Sequence, residues 1–198
     1  MPAAWKERLL GWKKYILASL GVLLGIAVVV GIVSYRRGPP ISRLIAELRD
    51  PDPGTRYRAA KNLAKIGPEA KEAVAALAEA LEDSEPRVRH YAAKALAEIG
   101  PEAKPAAPNL AKALKDKDGD VRYYVAKALA KIGSEAKVAL PSLMEAIQDA
   151  NPRVRYYVVK SLGEIGPEAR SAAGVLKQAL KDQDKDVREA ATRALRRL

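Results

Sequence analysis

The sequence contains no cysteine, no phenylalanine, one histidine and two methionines. Without cysteine there can be no disulfide, no thiolate nucleophile and no Cys-based zinc site. This says little about compartment, since reducing and oxidising environments both host such chains. The lone histidine, His90, has no second histidine and no fixed acidic cluster beside it, so no metal site is expected. There is no G-x-S-x-G elbow, no phosphate-cradling glycine loop and no nucleophile–base pair. The sequence therefore predicts no catalytic residue, no metal and no cofactor, and a protein that binds rather than catalyses.

What is abundant is Ala, Leu, Lys, Arg and Glu, the residues that lose least on entering a helix. The 198 residues suffice for one domain plus an appendage. The net charge of +11 is unevenly spread. Residues 1–40 hold six of the 35 basic residues and one of the 24 acidic ones, which leaves 29 and 23, or +6, for the remaining 158. Nearly half the excess thus lies at one end, and the basic pI alone is weak evidence for a nucleic-acid ligand.

That end carries the one long apolar run. Residues 15–35 (YILASLGVLLGIAVVVGIVSY) are 21 residues without a charge. As a helix they span about 30 Å, the thickness of a bilayer's hydrocarbon core. Trp12, Tyr15 and Tyr35 stand at its ends, and Lys13, Lys14, Arg36 and Arg37 bracket it, as interfacial rings and snorkelling cations do. A cleaved signal peptide fits less well, because the run is too long and Ile32-Val33-Ser34 is a poor small-x-small site. The expected organisation is a basic tail (1–14), a transmembrane helix (15–35), a linker (36–40) and a repeat domain (41–198). Positive charge is nearly balanced across the helix, with Lys6, Arg8, Lys13 and Lys14 before it and Arg36, Arg37, Arg43 and Arg49 after it. A short basic tail left in the cytoplasm tips the expectation toward repeats on the outer, periplasmic or extracellular, side. Gly21 and Gly25, at small-x-x-x-small spacing, offer a surface for homodimerisation.

Beyond Pro39-Pro40 the sequence repeats itself every 33 residues. I-G-P-E-A starts at Ile66, Ile99 and Ile165, with I-G-S-E-A at Ile132. Aspartate recurs at 50, 83, 116, 149 and 182, and arginine at 56, 89, 122, 155 and 188. Leucine recurs at 44, 77, 110, 143 and 176. Each of the five units reads as two helices. The first places Val74, Leu77 and Leu81 on one face; after a polar turn, the second buries Val88, Ala92, Leu96 and Ile99. Gly100 then terminates it and Pro101 prevents continuation. No unit can bury its stripe alone, so neighbours must stack.

The pattern D-x-D-x-x-V-R-x-x-A-x-x-A-L-x-x-I-G-P-E-A resembles the HEAT family, in the short form also seen in phycobilisome lyases. It stands here as Asp116, Asp118, Val121 and Arg122 through Ala128, Leu129, Ile132 and Gly133, with Val125 at one alanine position. The first repeat departs at Thr55 and Arg58, and the last at Thr192, Arg193, Arg196 and Arg197, as terminal repeats should. The resemblance implies an all-α, right-handed α-solenoid whose second helices line the concave face. It also implies that the Asp and Arg columns are a structural ladder, and that the domain is used for scaffolding and partner binding.

At about 100° per residue, the buried set of the second helix centres about 30° from Val88, which leaves His90 about 170° and Lys94 about 150° away. Their columns form two outward ridges: Tyr57, His90, Tyr123, Tyr156 and Glu189, and Lys61, Lys94, Lys127, Lys160 and Arg193. Tyr91, Tyr124 and Tyr157 lie at the flank of the buried stripe. An aromatic row beside a basic row suits an acidic or extended protein segment. The bland alternative is solvated lysines and tyrosines that merely cover an alanine-rich seam. The same groove could hold nucleic acid non-specifically, but the modest charge, Asp120 and Asp186 on the neighbouring ridge, and a membrane anchor disfavour it. The family resemblance raises a bilin lyase-like enzyme or subunit as a further alternative.

Overall fold

The computed structural model describes residues 39–198. The chain divides after Pro40, and Ile41–Leu198 forms one unit. The membrane segment expected at residues 15–35, with Gly21 and Gly25, lies outside the described residues. Among the described residues no helix is long and apolar enough to cross a membrane.

Aspartate, asparagine and proline fix where each second helix begins. These helices are α2 (Pro53–Ile66), α4 (Pro86–Ile99), α6 (Gly119–Ile132), α8 (Pro152–Ile165) and α10 (Lys185–Leu195). Asp52, Asp118, Asn151 and Asp184 accept hydrogen bonds from first-turn amides that have no partner within the helix. Pro53, Pro86 and Pro152 occupy first-turn positions, where a missing N–H costs nothing. Each of the first four ends at a glycine, Gly67, Gly100, Gly133 or Gly166, with φ between 71° and 77°. A side chain is strained there, so this one column needs glycine in each of these four repeats.

The first helices differ from the single helix that the apolar spacing predicts. After α1 (Ile41–Glu47), each is a 3-10 segment (Gly67–Ala73, Gly100–Ala106, Gly133–Ala139, Gly166–Ala172) leading into a short α-helix. These helices are α3 (Val74–Ala80), α5 (Ala107–Ala113), α7 (Leu140–Ala146) and α9 (Ala173–Ala179). Pro105, inside one of these segments, removes a donor that an α-helix would use, whereas the prolines opening three of them stand at first-turn positions. Two alanines in every segment are fully buried, including Ala70 and Ala73, so the tight turns lie flush against the neighbouring helices.

The described residues thus form five helical hairpins and no strand. Leu44, Leu77, Leu110, Leu143 and Leu176 from the first helices meet Leu63, Leu96, Leu129 and Leu162 from the second, all at 0% exposure. Leu180, beyond which no described hairpin packs, is 38% exposed, whereas its counterparts Leu48, Leu81, Leu114 and Ile147 stay at 3–7%.

Between hairpins runs a ladder of buried charge. Arg56, Arg89, Arg122 and Arg155 each donate to the next repeat's aspartate, Asp83, Asp116, Asp149 and Asp182, at 2.6–2.8 Å. Each arginine also donates to the backbone carbonyl of its own repeat's aspartate. Each aspartate in turn accepts the amide two residues on. The loudest periodic signal in the sequence is therefore a girder whose polar atoms are spent on the scaffold. Arg188 ends it and, among the described residues, donates only to the carbonyls of Asp182 and Gln183.

Candidate functional site

The second helices stack directly on one another through the array. Along their shared face the predicted aromatic row and its flanking tyrosines interlock. The rings follow the order Tyr57, Tyr91, His90, Tyr124, Tyr123, Tyr157, Tyr156. Successive centroids lie 4.8–5.3 Å apart with planes inclined by 67–88°. Edge-to-face pairing of this kind places the positive ring edge on a negative face and is worth about 0.5–1.5 kcal/mol per pair beyond burial. Three of the six contacts join one repeat to the next: Tyr57–Tyr91, His90–Tyr124 and Tyr123–Tyr157.

This geometry corrects the picture of two freely exposed ridges. Tyr57, His90, Tyr123 and Tyr156 are half-buried because each leans on a ring of the flanking row. Tyr91, Tyr124 and Tyr157, which sequence spacing left at the edge of the buried stripe, are links in the same chain. Their doubled columns, His90-Tyr91, Tyr123-Tyr124 and Tyr156-Tyr157, were the available signal. Glu189 and Ala190 occupy the corresponding columns in α10, so the aromatic chain stops at Tyr156.

The lysine row lies over these rings. Lys61 stands 5.4 and 5.8 Å from the centroids of Tyr57 and Tyr91, and Lys94 5.7 and 5.6 Å from Tyr91 and Tyr124. Lys127 lies over Tyr124 and Lys160 over Tyr157. On the opposite rim Arg87 covers Tyr57, and Arg153 sits 3.9 Å from the centroid of Tyr123. Such cation–π contacts add roughly 0.5–1 kcal/mol each at exposed sites and hold the cations against the groove floor. The Tyr57 hydroxyl accepts a hydrogen bond from Lys61 at 3.1 Å, which lowers the phenol's pKa and raises the ammonium's. Burial depresses His90 below its ordinary value, with Asp120 and Asp118 opposing and Lys94 adding to the effect.

Acids qualify the positive charge, and of these only Glu189 is placed on a ridge by the sequence. Glu98 bonds Lys127 at 3.1 Å and Lys131 at 3.3 Å. Glu164 pairs with Arg197 at 2.8 Å and Glu189 with Arg193 at 3.7 Å. The Glu98 contacts span 29 and 33 residues and become visible only once the register between hairpins is known. Three open depressions punctuate the groove. One of about 410 Å³ is lined by Lys61, Lys65, Tyr91, Lys94 and Glu98. A second, about 280 Å³, lies among Tyr123, Arg153, Tyr156, Asp184 and Asp186. A third, about 260 Å³, lies among Tyr156, Lys160, Glu164, Arg193 and Arg197. Among the described residues no cluster of three or more His, Asp or Glu could hold a metal ion.

Comparison with known proteins places this geometry. The family model described as HEAT repeats matches residues 41–108 and 106–196. No curated protein matches the chain. An engineered protein of known structure is 27% identical with a TM-score of 0.68, over 78% of this chain and 77% of that one. The complex of CpcE and CpcF of phycocyanin lyase from Nostoc sp. is 29% identical with a TM-score of 0.66, over 81% of this chain and 66% of that one. A designed armadillo repeat protein in complex with the peptide (KR)4 shares the fold at 21% identity, with a TM-score of 0.69 over 79% of this chain and 80% of that one.

Proposed function

The chain belongs to the HEAT-repeat family, and from that premise we propose that it is a membrane-anchored scaffold holding an extended, acidic segment of a partner protein along the aromatic groove. The observation that carries this reading is the unbroken chain of seven rings across four repeats, with a lysine over one ring of each inter-repeat junction. A continuous strip of rigid, half-buried rings gives contact area at little entropic cost, and ammonium groups held on it attract carboxylates. Residues 15–35 form the anchor in this reading, with the repeats on the outer side of the membrane.

The groove is too mixed in sign to suit a uniform polyanion. Asp184 and Asp186 line one depression, Asp120 lies near His90 and Arg153, and Glu98, Glu164 and Glu189 offset part of the lysine row. A nucleic-acid backbone would meet these carboxylates, whereas a short peptide strand need not. The groove side chains are assigned contact roles only. The kinship of fold with a phycocyanin lyase leaves a bilin to be tested directly, and an adduct on incubation with one would overturn the non-enzymatic assignment.

The deciding experiment measures binding of labelled degenerate peptide pools to the full-length chain in detergent micelles. An acid-enriched pool should bind, and Tyr123→Ala and Lys94→Glu should each weaken it by roughly tenfold. Retention of random duplex DNA at low salt, lost with the same variants, would instead establish the nucleic-acid reading. Protection of the repeats from protease added to spheroplasts would overturn the outward orientation.

A further inference from the structure

The positive charge of the groove is concentrated at one place. Lys61 and Lys94, from consecutive repeats, place their ammonium groups 5.8 and 5.7 Å from the centroid of the same ring, Tyr91. Lys65, one turn beyond Lys61 on α2, lines the same depression of about 410 Å³. Among the described residues none of the three forms a salt bridge, and the only side-chain hydrogen bond any of them makes is that of Lys61 to the Tyr57 hydroxyl. Glu98 also lines the depression, but its carboxylate is already paired with Lys127 and Lys131.

The other junctions lack this excess. At Tyr124 one of the two bracketing lysines, Lys127, is bonded to Glu98. In the C-terminal depression Arg193 and Arg197 face Glu189 and Glu164, which leaves Lys160 alone without a carboxylate. Three unmatched ammonium groups around one aromatic floor exceed what a single carboxylate can satisfy. A phosphoryl group carries about −1.5 to −2 at neutral pH and offers three acceptor oxygens, and lysine meets phosphate as a point charge without needing a fork geometry.

We infer that this depression receives a phosphorylated side chain of the segment bound in the groove, so that phosphorylation of the partner controls its docking. The inference rests on the groove reading above. A protein-borne phosphate is favoured over a lipid headgroup because the depression opens onto the ring chain. That chain provides contact for an extended backbone, whereas a headgroup would leave it unused.

The test compares two fluorescein-labelled degenerate peptide pools, identical except for a central phosphoserine or serine, by anisotropy against the full-length chain in nonionic micelles. The phosphorylated pool should bind roughly tenfold more tightly at low ionic strength. That advantage should collapse in Lys65→Glu and in Lys61→Glu/Lys65→Glu, and persist in Lys160→Glu. Lys65 is exposed, so its replacement should leave the helical circular dichroism unchanged, and Lys65→Ala gives a neutral check. Equal binding of both pools, or an advantage that survives Lys61→Glu/Lys65→Glu, overturns the phosphoryl site while leaving the groove intact. Failure of both pools to bind overturns the groove reading and the site together. Lysine-dependent binding of phosphoinositide-containing phosphatidylcholine vesicles, tighter than that of the phosphorylated pool, would reassign the site to a lipid.

Discussion

Arg89 and Asp116 are 7% and 9% exposed as side chains, so each is a buried charge that depends on the other. Removing one partner of such a pair strands its mate, at a cost of about 3 kcal/mol or more. Arg89→Ala is therefore expected to lose about that much in urea denaturation, whereas Arg188→Ala, which has no aspartate across from it, should lose only about 1 kcal/mol. Arg89→Met combined with Asp116→Leu should be milder than Arg89→Ala, since both charges leave together. Burial alone would push Asp116 up, but the hydrogen bonds from Arg89 and from the Asp118 amide outweigh it and hold the carboxylate below its ordinary value near 3.8. Asp83 behaves alike, and Asp182 is held down chiefly by Arg155. A carboxylate depressed in the folded state stabilises fully above its unfolded value. The ladder's contribution should thus be intact above about pH 4 and drain away as the pH falls through the lower folded values. His90 gives a separate step. Its neutral form is favoured on folding, so stability is present above its ordinary value of 6.5 and declines as the pH drops through the folded value, a step that His90→Tyr should abolish. Ser161 poses the opposite case: its hydroxyl is fully buried without a partner, at a position where Ala95 and Ala128 stand in other repeats. Ser161→Ala should raise stability by about 1 kcal/mol, read as a few degrees in the melting temperature.

At the scale of the element, two glycines in the same repeat pair separate packing from propensity. A Cβ on Gly163 would meet the Cα and Cβ of Ala194 at 2.9 Å, so α8 and α10 approach more closely than an added methyl permits. Gly174, on α9, has nothing within 4 Å of the same construction. Gly163→Ala should cost about 1–2 kcal/mol despite the gain in helix propensity, whereas Gly174→Ala should gain about 0.5–1 kcal/mol; chemical denaturation of the two variants decides it. The limits of the second helices could be read from sequence because aspartate, proline and glycine are chemically committed to helix ends. The break in the first helices could not. Seven alanine-rich residues, such as those before Val74, show apolar spacing compatible with three or with 3.6 residues per turn, and only packing of Ala70 and Ala73 selects the tighter coil. The site divides in the same way. The Tyr and Lys columns follow from helical periodicity, but their meeting edge-to-face, and the reach of Glu98 to Lys127, depend on the rotation of one hairpin upon the next.

For the whole molecule, the ladder and the ring chain are two parallel couplings between the same neighbours. Each hairpin touches only the one before and the one after, so stability is close to a sum of hairpin terms and interface terms. Interior hairpins have two interfaces and the outermost described ones have one, which Leu180 registers directly by its exposure. Amide exchange should therefore be graded, slowest in α4, α6 and α8 and fastest in α1 and α10, with protection following the number of interfaces rather than helix length. A cut in the middle tests this further. Arg122 reaches Asp149 while Tyr123 meets Tyr157, so both couplings between the third and fourth hairpins begin on α6. Arg122→Ala with Tyr123→Ala should weaken that one junction by several kcal/mol. The array should then stop behaving cooperatively: urea unfolding should broaden or split, and exchange should accelerate on α6 and α8 while α2 is little changed. A single sharp transition, merely shifted, together with uniform acceleration across all hairpins, would mean that the domain folds as one indivisible core. The groove would then be a rigid platform rather than a chain of separable junctions that a bound segment can tighten one by one.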